Sequence, residues 1–193
     1  MSGPAVVALV GRSGSGKTSL MELLIAELTA RGLAVGAVKH TSHGFLADRP
    51  GKDSYRLYEA GAASVALISR QQLATFTRRS DDGGSDASLE TALSSLPPGL
   101  EVILVEGFSW EAIPRFVVVP DSEEPIRDHV SRGEVLGILR VPAKPEGVKP
   151  SFPRSMVEAV AREIELRARQ GSGNLPADAG ARKSEADLST GGG

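Results

Sequence analysis

The residues best suited to chemistry form one run near the N-terminus, Gly11-Arg12-Ser13-Gly14-Ser15-Gly16-Lys17-Thr18. Its three glycines allow positive φ angles, so that backbone N–H groups can turn inward towards a phosphate. In this pattern Lys17 reaches the β- and γ-phosphates, and the Thr18 hydroxyl holds a magnesium ion. A glycine-rich turn without a ligand would leave the lysine and several amide donors without a purpose. We therefore expect all eight residues to bind a magnesium nucleoside triphosphate.

A second candidate is Glu106, which ends the apolar run Val102-Ile103-Leu104-Val105. In phosphate-loop proteins an acid at the end of a buried strand lies beside the magnesium shell. A glutamate that only ends a strand is the simpler interpretation of an isolated example. Because the glycine-rich run is also present, we expect Glu106 to act with Thr18 at the metal and to serve as a catalytic carboxylate.

The polar segment 39–54 is long for an ordinary connection, and such loops are often functional. Lys39 and His40 at its start are expected to contact phosphate or another anionic ligand. Asp53 has two interpretations of similar weight. It could cap a helix over 54–60, or it could face the magnesium ion or an attacking water, which makes it a second candidate metal and catalytic residue.

A strand, a helix and a second strand position the glycine-rich run. Residues 5–10 and 33–38 are almost wholly apolar, as in strands buried on both faces of a parallel sheet. Between them, Leu20, Leu24 and Leu28 have the spacing of a core-facing helical stripe. This order predicts a βαβ unit with the glycine-rich run at the carboxyl end of its first strand.

Later apolar runs extend the predicted fold. Strands are expected over 64–69, 73–77, 102–106, 115–119 and 135–141, and helices from Leu89 to Leu96 and after Pro153. The alternation of strands and helices indicates an α/β fold of the phosphate-loop NTPase class, with a mostly parallel sheet flanked by helices on both faces. The strand over 135–141 is expected at the end of the sheet or on a partner chain.

Bulk composition suits one soluble domain, which we expect over residues 1–170, because 40% of the 193 residues are hydrophobic. Residues 171–193 are rich in small and charged residues and are predicted to form a disordered tail. A formal net charge of −2 argues against nucleic-acid binding. No apolar run is long enough to span a bilayer, so we expect a cytoplasmic protein without a membrane partner. The absence of cysteine leaves oxygen and imidazole as metal ligands.

Taken together, the motifs resemble the molybdopterin-guanine dinucleotide biosynthesis adaptor family, usually called MobB. The resemblance rests on the glycine-rich run, on Val38-Lys39-His40-Thr41 with His43, on residues 48–56 and 59–62, and on Leu104-Val105-Glu106-Gly107-Phe108. Generic phosphate-loop proteins lack the middle two blocks. Beyond Phe108, this chain has Ser109 where the family often has lysine, and Pro114-Arg115 stands in for a Pro-Lys pair. An anion contact there would therefore pass to Arg115.

The resemblance implies a GTP-binding partner of the molybdenum cofactor guanylyltransferase, the enzyme that attaches GMP to molybdopterin. It also implies contact with molybdopterin or its nucleotide form, weak Mg²⁺-dependent GTPase activity and a homodimeric state. The residues themselves support a magnesium–nucleotide site. They contain no Asn-Lys-x-Asp run that would recognise guanine, so the choice of base comes from the resemblance alone.

Two other functions remain open from the residues. In a small-molecule kinase, Asp53 or Glu106 would act as the base towards a hydroxyl acceptor, and Arg12 and Arg115 would clamp phosphates. In a metal-delivery GTPase, His40 and His43 would hold the metal. Two imidazoles without a third ligand make a weak metal site, and the chain has three histidines in all.

Overall fold

The computed structural model describes residues 3–41, 44–45, 48–79, 88–142 and 148–171. The chain divides into two compact units, one formed by Met1–His40 with Leu89–Gly193 and the other by Thr41–Ser88. The prediction of one domain over residues 1–170 stays a prediction. All of the predicted tail over 171–193 except Gly171 lies outside the described residues.

Each helix and strand is named in chain order. They are β1 (Ala5–Val10), α1 (Lys17–Ala30), β2 (Val35–Lys39), α2 (Asp53–Glu59), β3 (Ser64–Ile68), β4 (Leu73–Thr77), α3 (Leu89–Ser94), β5 (Val102–Glu106), β6 (Arg115–Pro120), α4 (Arg127–Ser131), β7 (Val135–Val141) and α5 (Arg154–Gln170). The bounds of β1, β4, β5 and β7 are those that the apolar runs predict. The short helix α4 was not predicted, since five residues are too few to display a helical period.

The first unit contains a five-stranded sheet in the order β2-β5-β1-β6-β7, with every neighbouring pair parallel. This confirms the predicted parallel α/β sheet and places β7 at its edge. β5 lies between β1 and β2, so the two strands joined by α1 are parallel but are not neighbours. A sequence pattern shows which strands exist, but not which later strand inserts between two earlier ones.

Alternating side chains of the central strands pack into two cores. Val7 and Leu9 belong to the core that α1 and α5 cover, which includes Leu24 and Ile164. Val6, Ala8 and Val10 belong to the opposite core, which Leu89 and Leu93 of α3 cover. Every residue of β1 is buried, which explains its unbroken apolar sequence. Helices therefore lie on both faces of the sheet, as predicted.

The second unit contains α2 and a two-stranded antiparallel sheet. β3 and β4 pair in register from Ser64 opposite Thr77 to Ile68 opposite Leu73, which confirms the two predicted strands. α2 begins at Asp53, and its N-cap is Lys52 without a side-chain cap bond. The expectation that Asp53 caps this helix is therefore wrong.

A different carboxylate, that of Asp48, contacts the start of α2. The Ser54 hydroxyl donates to the carboxylate of Asp48, and the Arg49 amide donates to the same side chain at 2.6 Å. These two hydrogen bonds hold the pKa of Asp48 below its ordinary value, and the bond from Ser54 has the larger effect. A local side-chain bond thus ties the start of α2 to the segment that precedes it.

Candidate functional site

The glycine-rich run joins β1 to α1 through backbone that tolerates no side chain at two positions. A Cβ on Gly11 would collide with the carbonyl oxygen of Val118 in β6. Gly16 has φ 96°, and a Cβ there would lie 2.8 Å from Cγ of Pro150. Gly16 is also the N-cap of α1, so the partial positive charge of the helix N-terminus faces the loop without a capping side chain.

Lys17 folds back over this loop. Its Nζ donates to the carbonyl oxygen of Gly11 at 2.9 Å and to that of Arg12 at 2.6 Å. Burial lowers the pKa of Lys17, with a further lowering from Lys39 and an opposing effect from Glu106. Phosphate oxygens are stronger acceptors for an ammonium than neutral carbonyls, so this lysine is ready to exchange partners.

Thr18 and Glu106 meet at the carboxyl edge of the sheet. The Thr18 hydroxyl lies 2.9 Å from Oε1 and 2.7 Å from Oε2 of Glu106. The sheet register explains this placement, because Glu106 pairs with Leu9 of β1 on one side and with Lys39 of β2 on the other. Nζ of Lys39 lies 3.2 Å from Thr18 Oγ1 and 3.2 Å from Glu106 Oε1.

These side chains line a cavity of about 420 Å³. Its walls are formed by Ser13, Gly14, Gly16, Lys17, Thr18, Ser19, Lys39, Glu106, Val148, Lys149 and Pro150. The hydroxyl of Ser15, in the same loop, is buried and has no hydrogen-bond partner within the described ranges. An unpaired buried hydroxyl in a glycine-rich loop suits an anionic ligand that brings acceptor oxygens.

The oxygen donors at the site suit Mg²⁺. Thr18 and Glu106 supply a hydroxyl and a carboxylate, the hard oxygen ligands that Mg²⁺ prefers. In the part of the chain that the structure describes, no three His, Cys, Asp or Glu side chains cluster as a metal site. Two protein groups with phosphate oxygens and waters are the usual set for Mg²⁺ bound with a nucleotide.

Of the other predicted residues, His40 and Asp53 lie in different settings. The His40 amide donates to the carbonyl oxygen of Glu106 at 2.9 Å. Its ring packs against Phe108 and Trp110, with centroids 5.1 and 4.9 Å away. Asp53 belongs to the second unit, where its side chain is 96% exposed and lies 3.7 Å from Nη1 of Arg56. The proposed roles of both residues stay predictions, and His43 lies outside the described residues.

Arg115 occupies a position that contradicts its expected role. Its side chain is fully buried, and it donates to the carbonyl oxygens of Ser109 at 2.9 Å, Ile113 at 3.2 Å, and Glu111. Burial lowers its pKa, with a further lowering from Arg132. A guanidinium that is hydrogen-bonded to three carbonyl oxygens of one loop is not available to an anion. The expectation that Arg115 contacts or clamps phosphate is wrong.

Sequence reasoning missed one wall of the cavity, formed by the segment 148–152. Pro150 and Phe152 pack against Gly16, and Lys149 lies 3.5 Å from Glu22 on α1. The sequence offers one hint, the proline-rich approach to α5. Nothing in it indicates that this segment returns to a loop more than a hundred positions earlier.

Similar proteins share this architecture. Residues 6–138 match the family described as MobB, molybdopterin guanine dinucleotide synthesis protein B. The chain is 41% identical over 117 residues to the molybdopterin-guanine dinucleotide biosynthesis adapter protein of Escherichia coli K12, which covers 60% of the chain and 66% of that relative. It is 37% identical over 113 residues to the adapter protein of Haemophilus influenzae, covering 58% and 62%. These matches span slightly less than two thirds of either relative.

Two solved structures extend the likeness over more of the chain. A crystal structure of molybdopterin-guanine biosynthesis protein B superposes with a TM-score of 0.62 at 30% identity, covering 85% of this chain and 99% of the other. A MobB homologue from Bacillus stearothermophilus gives 0.59 at 25% identity, covering 86% and 98%. In the described ranges, no helix is long and apolar enough to cross a bilayer.

Proposed function

The chain belongs to the MobB family, and we propose that it acts as a nucleotide-binding adapter in the synthesis of molybdopterin guanine dinucleotide. The observation that carries this proposal is the meeting of Thr18 with Glu106 beside Lys17. A hydroxyl, a buried carboxylate and a loop lysine at one helix N-terminus form the set that binds a triphosphate together with Mg²⁺.

GTP is the proposed nucleotide. The names of the relatives connect them with guanine dinucleotide synthesis. This chain itself contains no Asn-Lys-x-Asp run that would recognise guanine. The residues that line the cavity suit phosphate groups. The choice of guanine over adenine therefore rests on the similarity to these relatives alone.

Slow hydrolysis is the proposed activity. Thr18 and Glu106 would hold Mg²⁺, which when bound neutralises charge on the phosphates. Lys17 and the N-terminus of α1 bind the β- and γ-phosphates. Asp53 remains the proposed group that orients the attacking water. An adapter needs slow turnover, because its bound nucleotide state must persist while the partner acts.

The proposed partners are the molybdenum cofactor guanylyltransferase and molybdopterin or its nucleotide form, in the cytoplasm. The word adapter in the names of both relatives supports an action on another enzyme. The position of Arg115 also supports this choice over a kinase, because one of the two arginines expected to clamp phosphates is turned into the protein. The other, Arg12, lies 3.1 Å from Glu123.

A homodimer is the proposed state, and the β3–β4 hairpin supports it. A two-stranded sheet is marginally stable alone and has unpaired edges. Three of its large apolar side chains are accessible, with Ile68 83%, Leu73 68% and Leu67 40% exposed. Pairing of this hairpin with that of a second copy would extend the sheet and cover those side chains.

The test combines binding with partner activity. Calorimetry in Mg²⁺ should show saturable binding of a non-hydrolysable GTP analogue at least about tenfold tighter than the ATP analogue, which corresponds to about 1.4 kcal/mol. Added to the guanylyltransferase with GTP and molybdopterin, the protein should raise the yield of guanylylated cofactor. Lys17→Ala should remove both effects. Equal affinity for the two analogues contradicts the base assignment, and an unchanged yield contradicts the adapter role.

A further inference from the structure

Lys39 closes a triangle of interacting groups at the carboxyl edge of the sheet. Its Nζ lies 3.2 Å from the Thr18 hydroxyl and 3.2 Å from Oε1 of Glu106. The same hydroxyl lies 2.7 and 2.9 Å from the two oxygens of Glu106. An ammonium therefore contacts both of the protein groups that are proposed to hold Mg²⁺.

The burial of Glu106 explains why a cation is needed there. Its side chain is 10% exposed at the end of β5, between two neighbouring strands. A carboxylate in such a place is destabilising unless a positive charge and hydrogen bonds compensate it. Thr18 supplies a hydrogen bond but no charge. The ammonium of Lys39 supplies a positive charge within ion-pair distance of the carboxylate, and the ammonium of Lys17 also attracts it.

Lys39 is held more loosely than the carboxylate it compensates. Its side chain is 57% exposed, and it is the last residue of the edge strand β2. A lysine ammonium on its flexible stem can swing into solvent without moving the sheet. A divalent cation at Thr18 and Glu106 would use the oxygens that the ammonium now contacts, and the two cations would repel each other.

We propose that Lys39 is the internal counter-ion of the magnesium site in the nucleotide-free protein, and that the metal displaces its ammonium. The proposal rests on the proposed function, since it assumes that Thr18 and Glu106 hold the metal. It follows that the nucleotide-free protein resists free Mg²⁺, and that the metal enters together with phosphates, which add oxygens and negative charge. Lys39 thereby makes metal binding depend on nucleotide binding.

The test is a titration with Mn²⁺, followed by electron paramagnetic resonance, of the full chain without nucleotide. Lys39→Met keeps most of the stem and removes the charge, and should tighten Mn²⁺ binding by roughly tenfold, on the scale of a charge pair at this distance. Adding Glu106→Gln to that variant should abolish the gain. Arg154→Met removes a positive charge from an 88% exposed side chain at the start of α5, outside the residues that line the cavity, and should change the affinity by less than about twofold.

A gain of less than about threefold in Lys39→Met overturns the proposal, as does an equal gain in Arg154→Met, which would indicate a general effect of charge. A gain that survives Glu106→Gln also overturns it, because the metal would then bind elsewhere. Thermal unfolding of each variant confirms that it is folded. The titration contains no nucleotide, so its result can be interpreted even if the chain does not bind GTP. The two proposals can therefore fail separately.

Discussion

The ammonium of Lys17 contacts the carbonyl oxygens of Gly11 and Arg12, and under the proposed function it exchanges these partners for phosphate oxygens. Charge-assisted bonds to phosphate contribute about 1.5–3 kcal/mol each. Lys17→Ala should therefore weaken triphosphate binding at least about 100-fold by calorimetry, with an unchanged circular dichroism spectrum. Equal affinity of the variant and the parent would show that the loop binds by its amides alone.

The proposed role of Glu106 at the metal predicts a defect that depends on Mg²⁺. Glu106→Gln preserves the shape of the side chain and removes its charge. We expect GTP hydrolysis to fall at least about tenfold, while nucleotide affinity in EDTA changes by less than about threefold, because the carboxylate has nothing to act on without a metal. The measurements are phosphate release in Mg²⁺ and calorimetry in EDTA. A defect of equal size under both conditions would mark Glu106 as structural.

Arg115 shows how a single residue organises a loop between two elements. β5 ends at Glu106 and β6 begins at Arg115, and the guanidinium binds the carbonyl oxygens of the connecting loop. Phe108 in that loop has φ 51°, a conformation that favours glycine and persists only where the surroundings hold it. The loop is therefore kept in one shape from inside the protein.

Replacing Arg115 should release this loop. Arg115→Met leaves three carbonyl oxygens without their donor, and we expect the free energy of unfolding to fall by about 2–4 kcal/mol in urea denaturation. Trp110, the one tryptophan of the chain, lies in the same loop and should become more accessible to a fluorescence quencher. Arg127→Met, at an exposed position of α4, is the matched control. Identical midpoints for both variants would contradict the structural role.

The elements differ in how far the sequence predicts them. β1 and β5 follow from unbroken apolar runs, because strands buried on both faces leave no room for polar residues. The proximity of Thr18 and Glu106 can also be predicted, because the carboxyl ends of parallel strands lie at the same edge of a sheet. Arg115 could not be predicted, since a charged residue that begins a strand carries no local sign of burial. Lys149 could not be predicted either, because its place depends on tertiary packing across the chain.

At the scale of the whole molecule, an adapter and a kinase differ in their products. We expect slow phosphate release and no phosphoryl transfer to any small hydroxyl acceptor, because Arg115 faces inward and the phosphate cavity lacks its guanidinium. The assay incubates the protein with γ-labelled GTP and a metabolite extract, and the products are separated chromatographically. A labelled small molecule that disappears with Lys17→Ala would favour the kinase.

Self-association should depend on the hairpin. Ile68→Lys places a charge on an 83% exposed apolar residue of β3, and we expect it to convert a dimer to a monomer in sedimentation analysis, since a buried unpaired charge opposes association. Leu166→Lys, at a 44% exposed position of α5, is the matched control and should leave the dimer intact. A dimer that resists Ile68→Lys would place the interface on another surface.

The central position of β1 determines when the phosphate loop can form during synthesis. Ala5 pairs with Val102 of β5 and Val10 pairs with Val117 of β6, so β1 waits for partners that are translated much later. Such distant pairings make folding slow and leave apolar strands exposed. Pro150 and Phe152, which pack on Gly16, arrive later still. The apolar side chains of β1 are therefore exposed during synthesis until β5 and β6 have been translated, and the glycine-rich loop takes its final shape only after the segment 148–152 has followed.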